Sequence, residues 1–153
     1  MQDESLWSLG ERGVDVASSP STILLVDDDP DIRALTKTFL EHEGYRVFSS
    51  GDAERAVQIF SNVPRADKPR IDLLITDLYL PGRSGMDLAV QLKALRSELP
   101  VLMISGGAVD GDQRAQLQQE GWRFLGKPFH LTELLSLVHV MLSPCEAGAV
   151  RLE

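Results

Sequence analysis

The stretch TILLVDDDPDI, residues 22 to 32, runs from an apolar segment straight into three consecutive carboxylates and a proline. The apolar part reads as a strand, and Pro30 marks the start of a helix, since a missing N–H costs nothing in a first helical turn. Asp29 then stands at the N-cap, where its carboxylate can accept orphan backbone N–H groups. Asp27 and Asp28 are left at the strand end, either as a solvated turn or as half of a cation site.

Outward from this point the pattern repeats. TILLV (22–26), YRVFS (45–49), IDLLIT (71–76), VLMIS (101–105) and RFLG (123–126) are strand candidates. Between them, residues 30–43, 52–62, 84–96, 110–120 and 131–142 space apolar side chains three and four apart, as helices do. Ile32, Leu35, Phe39 and Leu40 form the predicted inward stripe of the first helix; Leu131, Leu134, Leu135, Val138 and Leu142 form that of the last. Strands one, three and four are nearly all apolar and need helices on both faces of a parallel sheet. This is a five-unit α/β domain of the doubly wound type, in which the loops after the strands gather at one edge. Residues 1–21 read as a flexible leader or linker with Trp7 as its large anchor, either a docking residue or an isolated side chain. Residues 22–142 form the domain, the Pro-rich, charged 62–70 a surface connection, and 143–153 a flexible tail.

The chain has 153 residues and a formal net charge of −8, with 43% hydrophobic and 25% charged residues. That is one ordinary soluble domain. The acidic balance argues against contact with nucleic acid by this chain. No apolar run approaches the roughly 20 residues that cross a bilayer, so membrane insertion is not expected. The single cysteine, Cys145, cannot form an internal disulfide, which fits a reducing cytoplasmic setting.

The predicted strand ends carry Asp27 and Asp28, then Asp77, then Ser105, then Lys127. Carboxylates brought together in a partly dry cleft repel one another unless a cation or protons intervene. An all-oxygen set suits Mg²⁺, with Mn²⁺ as a substitute, and a zinc site is not expected. A carboxylate can attack phosphorus to give an acyl phosphate, and Asp77, ending the buried third strand, is the candidate nucleophile. Lys127 and Ser105 could supply positive charge and one hydroxyl donor to the same oxygens. Each residue alone has a plainer explanation, Lys127 as a surface lysine before Pro128; the joint placement favours a phosphoryl-transfer site.

With ILLVDDDPDIR, LLITDLYLPGRSGMDL, VLMISGG and FLGKPF in this order, residues 22–142 resemble the receiver (CheY-like) domain of two-component response regulators and hybrid histidine kinases. The resemblance implies a (βα)5 flavodoxin-like sandwich whose five-stranded parallel sheet has the order 2-1-3-4-5. It implies that Asp77 is phosphorylated by a histidine kinase or a histidine phosphotransfer protein. Mg²⁺ would be held by Asp28 and Asp77 directly, by Asp27 mainly through water, and by the backbone carbonyl of Tyr79. Ser105 and Lys127 would be the family's hydroxyl and lysine, with a cis Lys127–Pro128 peptide. Ser105 moving inward and Phe124 turning in behind it would form the switch; Phe124 as ordinary core is the plainer reading. The partner-binding face would change by a shift in population.

Tyr79 and Gly107 occupy positions that tune water access in the family, and neither carries a carboxylate or amide, so slow self-dephosphorylation is expected, with Tyr79 as a shield. Gly82 and Gly85 are expected to relieve strain in the loop after Asp77. The fourth helix, DGDQRAQLQQEG, lacks the dense opposite charges of the commonest receiver dimers. His42, His130 and His139 are phosphotransfer candidates only in principle, and Met86 and Met103 read as core. The chain would catalyse its own phosphorylation and slow dephosphorylation without turning over a separate substrate. Two other functions remain open: a phosphorylation-independent interaction module, favoured by loss of metal binding, and a Mg²⁺-dependent phosphohydrolase, favoured by turnover of phosphate esters. Any output domain or target would lie outside this chain.

Overall fold

Five apolar runs become five parallel strands in the computed structural model, which describes residues 20–62 and 70–143. In chain order they are β1 (Thr22–Val26), α1 (Pro30–His42), β2 (Arg46–Ser50), α2 (Ala53–Asn62), β3 (Leu73–Asp77), α3 (Gly85–Leu95), β4 (Val101–Ser105), α4 (Gly111–Glu120), β5 (Arg123–Gly126) and α5 (Leu131–Met141). The sheet order is β2-β1-β3-β4-β5, the predicted doubly wound arrangement. Trp7, the connection at 63–69 and Cys145 lie outside the described residues. Among the described residues no helix is long and apolar enough to cross a membrane.

Alternation along the strands divides the core into two layers. Leu24, Val26, Leu74 and Met103 face α2, α3 and α4, packing with Ala56, Phe60, Leu88, Leu92 and Leu117. Ile23, Leu25, Leu73, Ile75, Leu102 and Ile104 face α1 and α5, packing with Leu40, Leu134 and Val138. β1, β3 and β4 are buried along their whole length, as their continuous apolar runs require. Met86 and Met103 are core residues, as expected.

The register sets the functional edge. Val26 pairs with Ser50 on one side and Thr76 on the other, Asp77 with Ile104, and Ser105 with Gly126. Consecutive strands therefore end nearly level, and the residues at 27, 77, 105 and 127 emerge on one rim.

Several predicted boundaries shift by a residue or two, for identifiable reasons. Ser84 and Asp110, placed inside helices by periodicity, have extended backbones and cap α3 and α4 with their side chains. Asp29 caps α1 as expected, accepting from Asp31 N and Ile32 N, with Pro30 at the first helical position. The inward stripe of α1 is corrected: Leu35 is 59% exposed, whereas Thr36 is buried. Thr36 lies one helical turn before Leu40 on the same face, and Leu35 is rotated about 100° from it.

The two glycines after Asp77 serve different purposes. Gly82 has φ +78, a left-handed turn conformation that side chains resist. Gly85 owes its place to close approach: a Cβ there would stand 2.0 Å from the Asp77 carbonyl oxygen, and its own N–H donates to Leu78 O at 2.6 Å. Strain relief through φ was expected at both positions; at Gly85 the reason is contact. Gly85→Ala is expected to cost about 3 kcal/mol in urea unfolding and Gly82→Ala about 1 kcal/mol. Equal losses at the two positions would contradict the distinction.

Candidate functional site

β1 and β3 are hydrogen-bonded neighbours, so the carboxylates that follow them meet. Asp27, Asp28 and Asp77 each present an oxygen, and the three oxygens lie within 4.8 Å of one another. Asp27 and Asp77 are buried while Asp28 is exposed, so the cluster opens to solvent on one side. Asp27 is fixed in orientation: its Oδ1 accepts from Asp29 N at 2.9 Å, and its Oδ2 lies 3.3 Å from Lys127 Nζ. The same ammonium donates to Asp77 Oδ2 at 3.1 Å. Lys127 reaches the rim because its N–H continues the sheet, donating to Ser105 O at 2.8 Å, before the cis Lys127–Pro128 peptide turns the chain toward α5.

The electrostatics follow from this crowding. Burial, reinforced by a hydrogen bond and repulsion from Asp27, pushes the Asp77 carboxyl up to about 7, against the opposing pull of Lys127. Burial alone would lower the Lys127 pKa, but its bonds and attraction to Asp77 and Asp27 win and raise it. One lysine thus offsets two buried carboxylates, leaving an excess of negative charge. Three carboxylates with oxygen donors only, open on one side, fit a hard divalent cation that keeps some of its water.

The remaining predicted residues lie on β4, on β5 and in the loop after β3. Ser105 is buried at the end of β4, its Oγ accepting from Gly107 N at 3.0 Å and lying 3.3 Å from Gly107 O. Tyr79 begins a short antiparallel pair, Tyr79–Leu80 against Arg83–Ser84, and its side chain is half exposed. Phe124 is 39% exposed on β5, which removes the reading of it as ordinary core. The histidines have other surroundings: His42 is largely exposed, His139 packs its ring 6.0 Å from that of Tyr45, and His130 caps α5.

The family model for the response regulator receiver domain matches residues 23–139. The chain belongs to this family. The transcriptional regulatory protein AruR of Pseudomonas aeruginosa is 34% identical over 114 residues, covering 74% of this chain and 46% of AruR. The transcriptional regulatory protein CpxR of Escherichia coli is 34% identical over 122 residues, covering 78% of this chain and 48% of CpxR. The chain therefore spans about half the length of the curated relatives it matches. Among solved structures, a CheY-like receiver domain protein from Methanospirillum hungatei superposes with TM-score 0.75 at 27% identity, covering 85% of this chain and 99% of that one. The acidic cluster and Lys127 correspond to the phosphoaccepting site of such receiver domains.

Two contributors go beyond the residues expected from the sequence. Arg33 donates from Nη1 to Asp27 O at 2.6 Å, bracing the backbone beside the cluster; an arginine on the first turn of a helix carries no signal for that. Gln113 completes a capping box with Asp110, and the D-x-x-Q spacing was available to find it.

Because folding raises the Asp77 pKa from 3.8 to about 7, the native state binds the extra proton between those values. The resulting stability is complete below pH 4 and is lost as pH rises through about 7. In cation-free buffer the wild type should therefore lose stability over this range relative to Asp77→Asn, with a slope of at most about 1.4 kcal/mol per pH unit. Affinity for a divalent cation should rise over the same interval as the competing proton leaves. Parallel stability profiles for the two proteins would contradict the assigned shift.

Proposed function

We infer that residues 22–142 act as a phosphoacceptor signalling domain in which Asp77 takes a phosphoryl group from a phosphohistidine on a histidine kinase or phosphotransfer protein. The observation that carries this reading is the pair of buried carboxylates on adjacent strands, bridged by Lys127 beside a buried hydroxyl. The Asp77 oxygen attacks phosphorus, a P–O bond forms, the P–N bond to the donor breaks, and the imidazole leaves with the bonding pair and takes up a proton. Asp77 must be ionised to attack, so the groups that draw its proton away, Lys127 among them, favour the reaction. Asp28 and Asp77 would hold Mg²⁺ directly, Asp27 through water and Tyr79 through its carbonyl, with Mn²⁺ able to replace it. When bound, the cation neutralises the incoming phosphoryl charge and aligns it with the nucleophile.

Lys127 and Ser105 are assigned to the phosphoryl oxygens. Ser105 must leave its contacts with Gly107 to reach them, and Phe124, exposed at present, is the side chain assigned to turn inward behind it. We assign the phosphohistidine donor to the groove of about 490 Å³ lined by Ile32, Leu35, Thr36, Gly106, Lys127 and Phe129, among others. This groove borders the lysine that bridges the carboxylates, and the exposed Leu35 lies in its wall. We place the domain in the cytoplasm, and its output in a target or a domain beyond these residues.

Incubation with Mg²⁺ and acetyl phosphate should add one phosphoryl group to the intact mass, and none to Asp77→Asn. Lys127→Ala should cut the rate by roughly 100-fold, the scale of losing one charge-stabilising group. The acyl phosphate should decay slowly, since neither Tyr79 nor Gly107 carries a carboxylate or amide to position water. Equal labelling of Asp77→Asn would remove the assignment, and a lifetime of seconds would remove the slow-decay reading.

A further inference from the structure

The loop after Asp77 and the first turn of α4 are separate in sequence, yet one side chain joins them. Tyr79 Oη donates to the Ala108 carbonyl at 2.8 Å, with Gln113 Oε1 3.4 Å away. Gln113 Oε1 in turn accepts from Asp110 N at 3.0 Å, and Gln113 N donates to Asp110 Oδ1 at 2.8 Å. The phenol thus ends on the cap of α4. Beneath it the ring lies over Gly107: a Cβ at that position would stand 3.3 Å from Tyr79 Cε2 and 3.8 Å from Ser105 Oγ. Gly107 is also the residue on which the Ser105 hydroxyl rests. A half-exposed tyrosine needs no partner for its O–H, because water would serve; here it spans 29 residues of sequence to a loop carbonyl.

We propose that Tyr79 is a positioning residue, a strap that couples the phosphoacceptor loop to the N-terminal cap of α4. The backbone of Tyr79 sits two residues from Asp77, so rearrangement there displaces the ring. Rearrangement of Ser105 away from Gly107 changes the floor on which the ring rests. In both cases the hydroxyl carries the change to Ala108 and the Asp110–Gln113 box, where the first turn of α4 is held. This rests on the phosphoacceptor reading for its trigger, while the strap itself is a property of the unmodified chain.

The test is hydrogen exchange on the full chain, wild type against Tyr79→Phe, which keeps the ring and the backbone carbonyl and removes only the donor. Without phosphodonor, amides of residues 106–113 should exchange roughly threefold to tenfold faster in the variant, the range expected for one lost hydrogen bond, while β1 and β3 stay unchanged. With Mg²⁺ and acetyl phosphate, and with responses normalised to the phosphorylated fraction read by intact mass, the wild type should change from Ser105 through the first turn of α4. The variant's response should stop near Gly107. Unchanged exchange at 106–113, faster exchange spread over the whole sheet, or an α4 response equal to wild type would each overturn the strap. If the wild type takes up no phosphoryl group, the phosphoacceptor reading fails by itself and the comparison without phosphodonor alone decides on the strap.

Discussion

Two buried carboxyl groups face each other across neighbouring strands, and they repel when both are ionised. Asp27 and Asp77 are both buried, and Lys127 stands between them at 3.3 and 3.1 Å. Breaking such an arrangement by removing the lysine leaves charge without compensation in a poorly solvated place, whereas removing a carboxylate relieves it. The domain thus keeps a local instability at its rim, and the rest of the molecule holds that rim in place. Strands β1, β3 and β4 are buried along their whole length, Arg33 braces the Asp27 carbonyl, and Gly85 packs under that of Asp77. Strain of this kind is useful where binding is meant to relieve it.

Much of this was legible from residue order. Continuous apolar runs at 22–26, 71–76 and 101–105 can only be buried on both faces, and that requirement alone places helices on each side of the sheet. The placement of Asp27, Asp28, Asp77, Ser105 and Lys127 follows, because parallel strands of similar length end at the same edge. Asp29 was readable as a cap because Pro30 follows it.

What escaped reading was rotational or depended on contact. Leu35 and Thr36 differ by one step around α1, and hydrophobicity favoured the wrong one; the leucine lines a surface groove and the threonine is buried. Gly85 could be seen to matter, but only its distance to the Asp77 carbonyl separates close approach from a turn requirement. The Tyr79 contact with Ala108 joins segments whose sequences carry no mark of one another. Ser84 and Asp110 fit helical spacing but stand just outside their helices, since a cap must leave helical dihedrals to accept from the turn it closes.

The two layers of the core have a consequence for how such a domain diversifies. Helices α1 and α5 pack on one face of the sheet, and α2, α3 and α4 on the other. The groove beside Lys127 draws its wall from α1 and the turn into α5, while Tyr79 reaches across to α4. Substitutions that reshape the groove and substitutions that reshape the first turn of α4 therefore fall on opposite sides of a shared partition, and either surface can change without repacking the other. Drift on one side of the sheet leaves the packing of the other side, and the carboxylate cluster at the rim, in place.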